Sequence, residues 1–257
     1  MPATPQRESL TRRDQDERVA VDDSPPLAVV VATRRRPDAL GRLLKALRLQ
    51  SLPRKFFSVI VVNDGSHDAR YGEILEPHHQ FIRYLSLPRR AGPAAARNHG
   101  VAASTRPQWL VFTDDDCQPP PDWLEGFWSH GYRAAQADLV GGRALPLPGE
   151  PLGAVGRYLR DIKFLQPSVG WDGKVICIPA ANLAVRNEWF HRVGGFDACF
   201  PRPGGEDLDL TYRLIRAGAR SAVLDSWVTY HACQCGLLDF CRRYFRYGYG
   251  EALFRKL

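Results

Sequence analysis

The chain has 257 residues, of which 44% are hydrophobic and 25% charged, and its formal net charge is +7. This length and composition can bury the core of one large domain or two small ones, which excludes a wholly disordered protein. No run approaches the roughly 20 apolar residues that a transmembrane helix requires. We therefore expect a cytoplasmic protein, either soluble or peripheral on the inner face of the membrane. The positive charge suits a phosphorylated ligand, a nucleic acid or an anionic membrane, without choosing among them.

The first half of the chain alternates between strand and helix patterns. Residues 1–26 are charged and proline-rich with almost no large apolar groups, which predicts a disordered tail. The runs 27–32 and 57–62 are continuous and rich in β-branched residues, as strands buried on both faces require. Leucines recur at helical spacing between these two runs. Further strands are predicted at 82–87 and 109–113, with a helix over 94–103.

This alternation predicts an α/β fold, with a mostly parallel sheet and helices on both of its faces. Ligands of such sheets bind beyond the carboxyl ends of the strands. The second half is less regular. The stretch 143–173 is rich in glycine and proline and reads as a long excursion, and 175–185 reads as one strand. Helices are predicted near 188, over 208–217 and over 237–254, and a short strand over 226–230.

Three consecutive aspartates, Asp114, Asp115 and Asp116, follow a predicted buried strand. Alternate side chains of an extended chain share a face, so Asp114 and Asp116 can point into the same space while Asp115 points away. Two neighbouring carboxylates repel each other, and a divalent cation removes that repulsion. Magnesium or manganese suits oxygen ligands and usually also binds substrate phosphates. A solvated acidic turn is the alternative.

Two further segments have features of a nucleotide site. Asp64 lies at the end of a predicted strand and before Gly65, so it is either a turn-former or a carboxylate that binds a nucleobase or ribose. Arg97 lies in a loop of small residues that leads into a helix, where backbone amides attract phosphate. In that position it could neutralise a diphosphate. A tightly packed, alanine-rich helix is the other interpretation.

A second acidic cluster, Glu206, Asp207 and Asp209, opens a predicted helix. Acidic residues in a first turn interact favourably with the helix dipole, but capping needs one carboxylate and not three. One of them could act as a general base. His231 follows a short apolar strand. A lone histidine is more often structural than catalytic, but its acidic context makes it a candidate third metal ligand.

The order of these motifs resembles the family 2 glycosyltransferases, which have the GT-A fold. The resemblance covers about residues 27–232. It rests on Thr33-x-x-Arg36-Pro37, Val61-Val62-Asn63-Asp64-Gly65-Ser66, Gly92-x-x-x-Ala96-Arg97-Asn98-x-Gly100, Asp114-x-Asp116, Asn182-Leu-Ala-Val-Arg186, Gly194-Gly-Phe-Asp197 and Glu206-Asp207-x-Asp209-Leu210-x-x-Arg213-Leu214-x-x-x-Gly218. The family's usual first motif, Pro-Thr-Tyr-Asn-Arg-Pro, is here Ala32-Thr33-Arg34-Arg35-Arg36-Pro37, and this departure concerns base selectivity.

The resemblance implies an inverting, metal-assisted transfer of sugar from a nucleotide-diphosphate sugar, of the UDP or GDP type, to an acceptor hydroxyl. It implies one GT-A domain over 27–235, with a nucleotide-binding half at 27–117 and an acceptor half at 118–235. Asp207 would be the catalytic base, and Asp116 and His231 would bind Mn²⁺ or Mg²⁺. The implied contacts with the nucleotide sugar are Thr33, Arg36, Asp64, Arg97, Asp114 and Asp115.

Several alternatives remain open at this point. A sugar-phosphate nucleotidyltransferase would need a glycine-rich basic loop after the first strand, and residues 33–36 have the charge without the glycines. A noncatalytic binder of nucleic acid or anionic lipid is the other rival, although acidic clusters at strand ends would repel nucleic acid. The acceptor could be a sugar, a lipid-linked molecule or a small molecule. The basic, aromatic segment 236–257 would either cover the active site or contact a membrane.

Overall fold

The computed structural model describes residues 25–131, 136–233 and 236–256. The tail predicted over 1–26 therefore lies almost wholly outside the described residues. The described strands are β1 Leu27–Thr33, β2 Phe57–Asn63, β3 Arg83–Ser86, β4 Trp109–Phe112, β5 Cys117–Gln118, β6 Leu139–Pro146, β7 Ser168–Val169, β8 Val175–Cys177, β9 Leu183–Arg186 and β10 Ser221–His231. The α-helices are α1 Pro37–Arg48, α2 Arg70–Leu75, α3 Pro93–Ala102, α4 Trp123–Glu125, α5 Ala154–Asp161, α6 Asn187–Arg192, α7 Glu206–Arg216 and α8 Leu237–Phe254.

Eight of these strands form one sheet in the order β3-β2-β1-β4-β9-β6-β10-β5. The first four are parallel to one another, and so are β6 and β10. Strand β9 runs antiparallel to both of its neighbours, β4 and β6. The prediction of a mostly parallel α/β sheet is confirmed.

Strand β1 explains why the apolar run has no polar alternation. Its odd-numbered residues, such as Val29, pack in one core with the leucines of α1. Its even-numbered residues, such as Val30, pack in a second core with the alanines of α3. Because both faces are covered, every position of the strand favours an apolar side chain.

The second half departs from the sequence prediction in two places. The strand predicted over 175–185 is two strands, separated at Pro179 by a short 3-10 turn, Ala180–Asn182. The buried Asn182 side chain donates to the Arg143 and Trp227 carbonyls, which fixes the turn against β6 and β10. The excursion predicted over 143–173 also contains the end of β6 and the helix α5. The local sequence pattern did not predict the break after β8, the end of β6 or the helix α5, because contacts with residues distant in sequence determine them.

The C-terminal helix α8 has the predicted bounds, Leu237–Phe254. Three of its aromatic residues pack on the rest of the domain. Phe240 contacts Tyr158, Tyr247 stacks on Phe164, and Phe254 contacts Tyr212, with ring centroids 5.7, 5.8 and 5.4 Å apart. This arrangement corresponds to the interpretation in which α8 covers the domain. None of the helices in the described part of the chain has the length and apolar character needed to cross a bilayer.

Candidate active site

The carboxyl ends of β1, β2 and β4 place three predicted segments side by side. The strands are parallel and adjacent, so they all end at the same edge of the sheet. Residues 33–36 follow β1, Asp64 follows β2, and 114–116 follow β4. This is the edge at which open α/β sheets bind ligands, as the sequence predicted.

Asp114, Asp116 and His231 form a candidate metal centre. One ligand atom from each of the three lies within 4.8 Å of the others. The histidine reaches the aspartates because β10 pairs with β5, which puts His231 opposite Cys117. Two carboxylate oxygens and one imidazole nitrogen suit Mn²⁺ well and leave room for substrate phosphates. The residues present therefore fit the predicted divalent cation.

The electrostatics of the cluster agree with this interpretation. His231 Nε2 lies 3.1 Å from Asp116 Oδ1. Burial lowers the pKa of His231, but Asp116 outweighs this and raises it to about 10. Burial also raises the pKa of Asp116, and His231 and Arg36 outweigh that effect, so this pKa is lowered overall. A bound divalent cation would take the place of the histidine proton, because a ligating imidazole is neutral.

Asp115 lies beneath the site. Its carboxylate is fully buried, accepts a hydrogen bond from Thr33 Oγ1 at 2.7 Å, and pairs with Arg36 Nη2 at 2.9 Å. Arg36 also bridges to Asp116 through its other terminal nitrogen. Thr33 is itself hydrogen-bonded to the hydroxyl of Tyr71. Asp115 therefore holds the loops after β1 and β4 together, under the surface that a donor would touch.

Arg97 connects the metal side of the site to the start of α7. Its buried guanidinium donates to Asp114 Oδ1 at 2.9 Å and to Glu206 Oε1 at 3.1 Å, and lies 3.8 Å from Asp207 Oδ1. Burial lowers the pKa of Arg97, but the three carboxylates outweigh it and keep the group charged. Direct contact between Arg97 and a diphosphate stays a prediction. In the structure this side chain positions carboxylates.

The three acids of the second cluster have different partners. Glu206 accepts from the Gly204 amide at 2.6 Å as well as from Arg97, and the buried Asp209 pairs with Arg213. Asp207 accepts from the Ala180 amide at 3.0 Å through Oδ2, while its Oδ1 accepts no hydrogen bond from the described residues. Burial and then Glu206 raise the pKa of Asp207 to about 8, against the opposing effect of Arg97. Asp207 Oδ1 is therefore free to receive a substrate proton once the carboxyl ionises, as pH approaches and passes about 8.

Asp64 organises the loop before α3. Its carboxylate accepts the Ala91 amide at 2.5 Å and the Gly92 amide at 3.1 Å. The side chain also lines the pocket described below. The turn interpretation and the nucleotide interpretation are thus compatible, because the carboxylate fixes a loop that borders the pocket.

We predict that Asp64→Ala weakens the binding of a nucleoside diphosphate by about 1–3 kcal/mol, the usual cost of removing the partner of a buried polar group. Calorimetric titration measures the change. The control is Asp38→Ala, which removes an exposed carboxylate that pairs with Arg70 on the surface at 2.9 Å. An affinity unchanged by Asp64→Ala would mean that Asp64 shapes only a turn.

A pocket of about 840 Å³ adjoins the metal centre through Arg36. This volume is sufficient for a nucleotide. We call it the arginine pocket, because six arginines line it: Arg34, Arg36, Arg90, Arg202, Arg242 and Arg246. Sequence reasoning did not assign Arg202 to the site, and it connected Arg242 and Arg246 only with a membrane or a covering helix. No local signal identifies these three, because only the tertiary fold brings them to residues 33–36.

Comparison with known proteins agrees with this geometry. The model of the glycosyl transferase family 2 matches residues 28–191, and that of the N-terminal domain of galactosyltransferase matches 176–232. The pre-mycofactocin glycosyltransferase of Mycobacterium tuberculosis is 34% identical over 227 residues, covering 86% of this chain and 46% of that protein. The validoxylamine A glucosyltransferase of Streptomyces hygroscopicus subsp. jinggangensis is 28% identical over 239 residues, covering 81% and 56%. The chain thus spans about half the length of these curated relatives.

Solved structures share the fold. TarS of S. aureus superposes with a TM-score of 0.63 at 19% identity, covering 80% of this chain and 60% of that one. The mannosyltransferase PcManGT of Pyrobaculum calidifontis superposes with a TM-score of 0.62 at 20% identity, covering 81% and 57%. These similarities confirm the GT-A architecture predicted from the motifs. The comparisons give no support to a nucleotidyltransferase or to a noncatalytic binder. With a family model that covers most of the folded region, this chain belongs to glycosyl transferase family 2.

Proposed function

We propose that the chain carries the catalytic centre of an inverting glycosyltransferase that uses a nucleotide-diphosphate sugar and a divalent metal. One observation carries the proposal. At a single edge of the sheet, a carboxylate–histidine cluster suited to Mn²⁺ adjoins an arginine-lined pocket, and a carboxylate with an unused oxygen lies next to Arg97. These are the parts that a diphosphate leaving group and an acceptor hydroxyl require.

In the proposed reaction, the acceptor oxygen attacks the anomeric carbon while Asp207 Oδ1 takes the hydroxyl proton. The bond between the anomeric carbon and the phosphate oxygen breaks, and its electron pair leaves with the nucleoside diphosphate. A single displacement of this kind inverts the anomeric configuration. Asp114, Asp116 and His231 would hold the metal, which supplies positive charge to the departing diphosphate. Arg97 keeps Asp114 and Asp207 in place through its charged contacts.

The nature of the donor is proposed from structural neighbours. PcManGT was solved with GDP-Man and Mn²⁺, and TarS with UDP-GlcNAc. We propose a UDP- or GDP-sugar for this chain, with Mn²⁺ as the preferred metal. The acceptor would be a sugar, a lipid-linked molecule or a small molecule, and the relatives named for pre-mycofactocin and validoxylamine A favour the last of these.

The test is a panel of UDP- and GDP-sugars incubated with the protein and Mn²⁺. We expect release of the nucleoside diphosphate from at least one donor. A nucleotidyltransferase would instead form a nucleoside triphosphate from the nucleotide sugar and pyrophosphate. That product, or no turnover of any donor by a protein that also binds none of them, would overturn the proposal.

Peripheral membrane contact through 237–257 stays a separate proposal. Phe240, Tyr247 and Phe254 of α8 pack on the domain. Leu237 and Leu238 at its start are exposed, as is Phe245. A lipid-linked acceptor would give these leucines a role. Co-sedimentation with anionic vesicles tests this, and we expect Leu237→Ser with Leu238→Ser to abolish it. If the unmodified protein does not co-sediment at low salt, the contact does not exist.

A further inference from the structure

Helix α8 forms one wall of the arginine pocket. Cys241, Arg242, Phe245 and Arg246 line the pocket together with residues that follow β1 and β2. The helix is therefore more than a cover over the domain. It places the positively charged side chains of Arg242 and Arg246 beside the loop that carries Arg36. Arg36 in turn contacts Asp116 of the metal centre.

The pocket holds more positive charge than the protein neutralises. Among the described residues, no carboxylate lies within ion-pair distance of four of its arginines, Arg34, Arg90, Arg202 and Arg246. The Nε of Arg246 is buried and has no hydrogen-bond partner in the described part of the chain. Among the described residues, Asp64 is the one carboxylate that lines the pocket, and it already accepts two backbone amides. A ligand with several negative charges would satisfy these guanidinium groups.

Helix α8 also packs directly against Gly204 and Gly205, the two residues that precede α7 and its Asp207. A Cβ atom at Gly250 would overlap the carbonyl group of Gly204. One at Gly204 would lie 2.6 Å from Tyr247 Cδ1, and one at Gly205 would lie 2.8 Å from the Gly250 oxygen. Gly204 and Gly205 have φ angles of 123° and 94°, which residues with a side chain rarely adopt. The backbone of α8 thus packs against the residues that immediately precede Glu206 and Asp207.

We propose that Arg242 and Arg246 of α8 bind the diphosphate of the donor, and that the glycine contact couples this helix to the position of Asp207. The inference rests on the proposed function and extends it. It assigns part of the donor site to a helix that follows the last strand of the sheet. The diphosphate site and the position of the base Asp207 then both depend on where helix α8 packs.

The first test measures binding of UDP and of GDP, each with Mn²⁺, to Arg242→Ala and Arg246→Ala. We expect each variant to lose about tenfold or more in affinity, since a hydrogen bond to a charged group is removed. The affinity for uridine or guanosine, measured by competition, should not change, and Arg246→Lys should restore part of the loss. Arg255→Ala is the control, because Arg255 lies on the same helix and pairs with the exposed Glu251.

The second test examines the packing of α8 without changing its charge, by substituting two of its glycines. Gly250→Ala introduces the overlap with Gly204, whereas an added Cβ at Gly248 meets no atom within 4 Å. Both changes raise helix propensity by about 1 kcal/mol, so the difference between them reports the contact. We expect Gly250→Ala to lower turnover at least tenfold and Gly248→Ala to keep the parental rate.

Four outcomes of these tests are distinguishable. If the parent binds nucleoside diphosphate and both arginine variants bind it equally well, this inference fails and the proposed function stands. If the parent binds neither UDP nor GDP, both fail. If Gly250→Ala does not fold, Arg242→Ala still decides, because the Arg242 side chain is 70% exposed and its loss leaves the core intact. Parental turnover in a folded Gly250→Ala would overturn the coupling to Asp207.

Discussion

Replacing Asp207 with asparagine is expected to reduce turnover by a factor on the order of 10²–10⁴, the usual contribution of a general base. An amide cannot accept the acceptor proton, although it fills the same space and can still accept the Ala180 amide. Donor affinity should stay near the parental value, because the Asp207 carboxylate accepts from Ala180 and does not line the arginine pocket. Steady-state turnover and calorimetric titration of the donor measure the two quantities.

Asp209→Asn is the comparison that identifies the base. Asp209 is buried and paired with Arg213, so its loss should lower stability while the folded protein keeps its turnover rate. Asp207→Asn should do the reverse. If Asp207→Asn turns over at a near-parental rate, the base is another residue, and Glu206 is the next candidate.

The raised pKa of Asp207 also predicts a pH dependence with a definite sign. The folded protein holds this proton up to about pH 8, whereas an unfolded chain releases it near the ordinary value of 3.8. The native state therefore loses stability relative to the unfolded state as pH rises through that window. Asp207→Asn removes this effect, so its Tm should exceed the parental Tm by a margin that grows between about pH 4 and pH 8. Turnover of the parent should rise over the upper part of this range, because the base must be ionised.

Removing a metal ligand is expected to have an effect of similar size. Asp116→Ala should lower turnover by about 10²–10³-fold, because a metal that polarises a phosphoryl oxygen contributes several kcal/mol to the transition state. The change also leaves His231 and Arg36 without their carboxylate partner. Turnover in the presence of Mn²⁺ and after chelation measures the effect.

Asp122→Ala is the control for this variant, since Asp122 is an exposed carboxylate in the same segment. Its turnover should match the parent and should fall equally on chelation. The metal assignment would be contradicted by a parent that keeps full activity in chelator, or by an Asp116→Ala variant that keeps it with Mn²⁺.

The sequence predicted those parts of the site that lie at the ends of regular strands. Thr33, Asp64 and Asp114 each follow a buried apolar run, and parallel pairing brings such ends together without any knowledge of loops. His231 was predicted only as a candidate, and the pairing of β10 with β5 places it beside Asp116. The strand pattern was sufficient here because both faces of the sheet are covered.

Other features could not be predicted, because tertiary contacts determine them. The family resemblance names Asp207 as the base, but the local pattern of the three acids gives no reason for that choice. Their partners supply it, because Glu206 and Asp209 are engaged in ion pairs while Asp207 Oδ1 has no hydrogen-bond partner among the described residues. The break between β8 and β9 depends on hydrogen bonds from Asn182 to distant carbonyls. The role of Arg246 depends on where α8 packs. The packing of α8 depends on the close contact between the backbones of Gly204 and Gly250.

The central claim is that the carboxylate–histidine cluster and the arginine pocket form one site for a metal-bound nucleoside diphosphate. Calorimetric titration of UDP and GDP, with Mn²⁺ and with chelator, tests it most directly. The account predicts binding with Mn²⁺ that weakens at least tenfold in chelator, and no dependence on the metal in Asp116→Ala. Equal affinity with and without metal in the parent, or metal-dependent binding that survives Asp116→Ala unchanged, would contradict it.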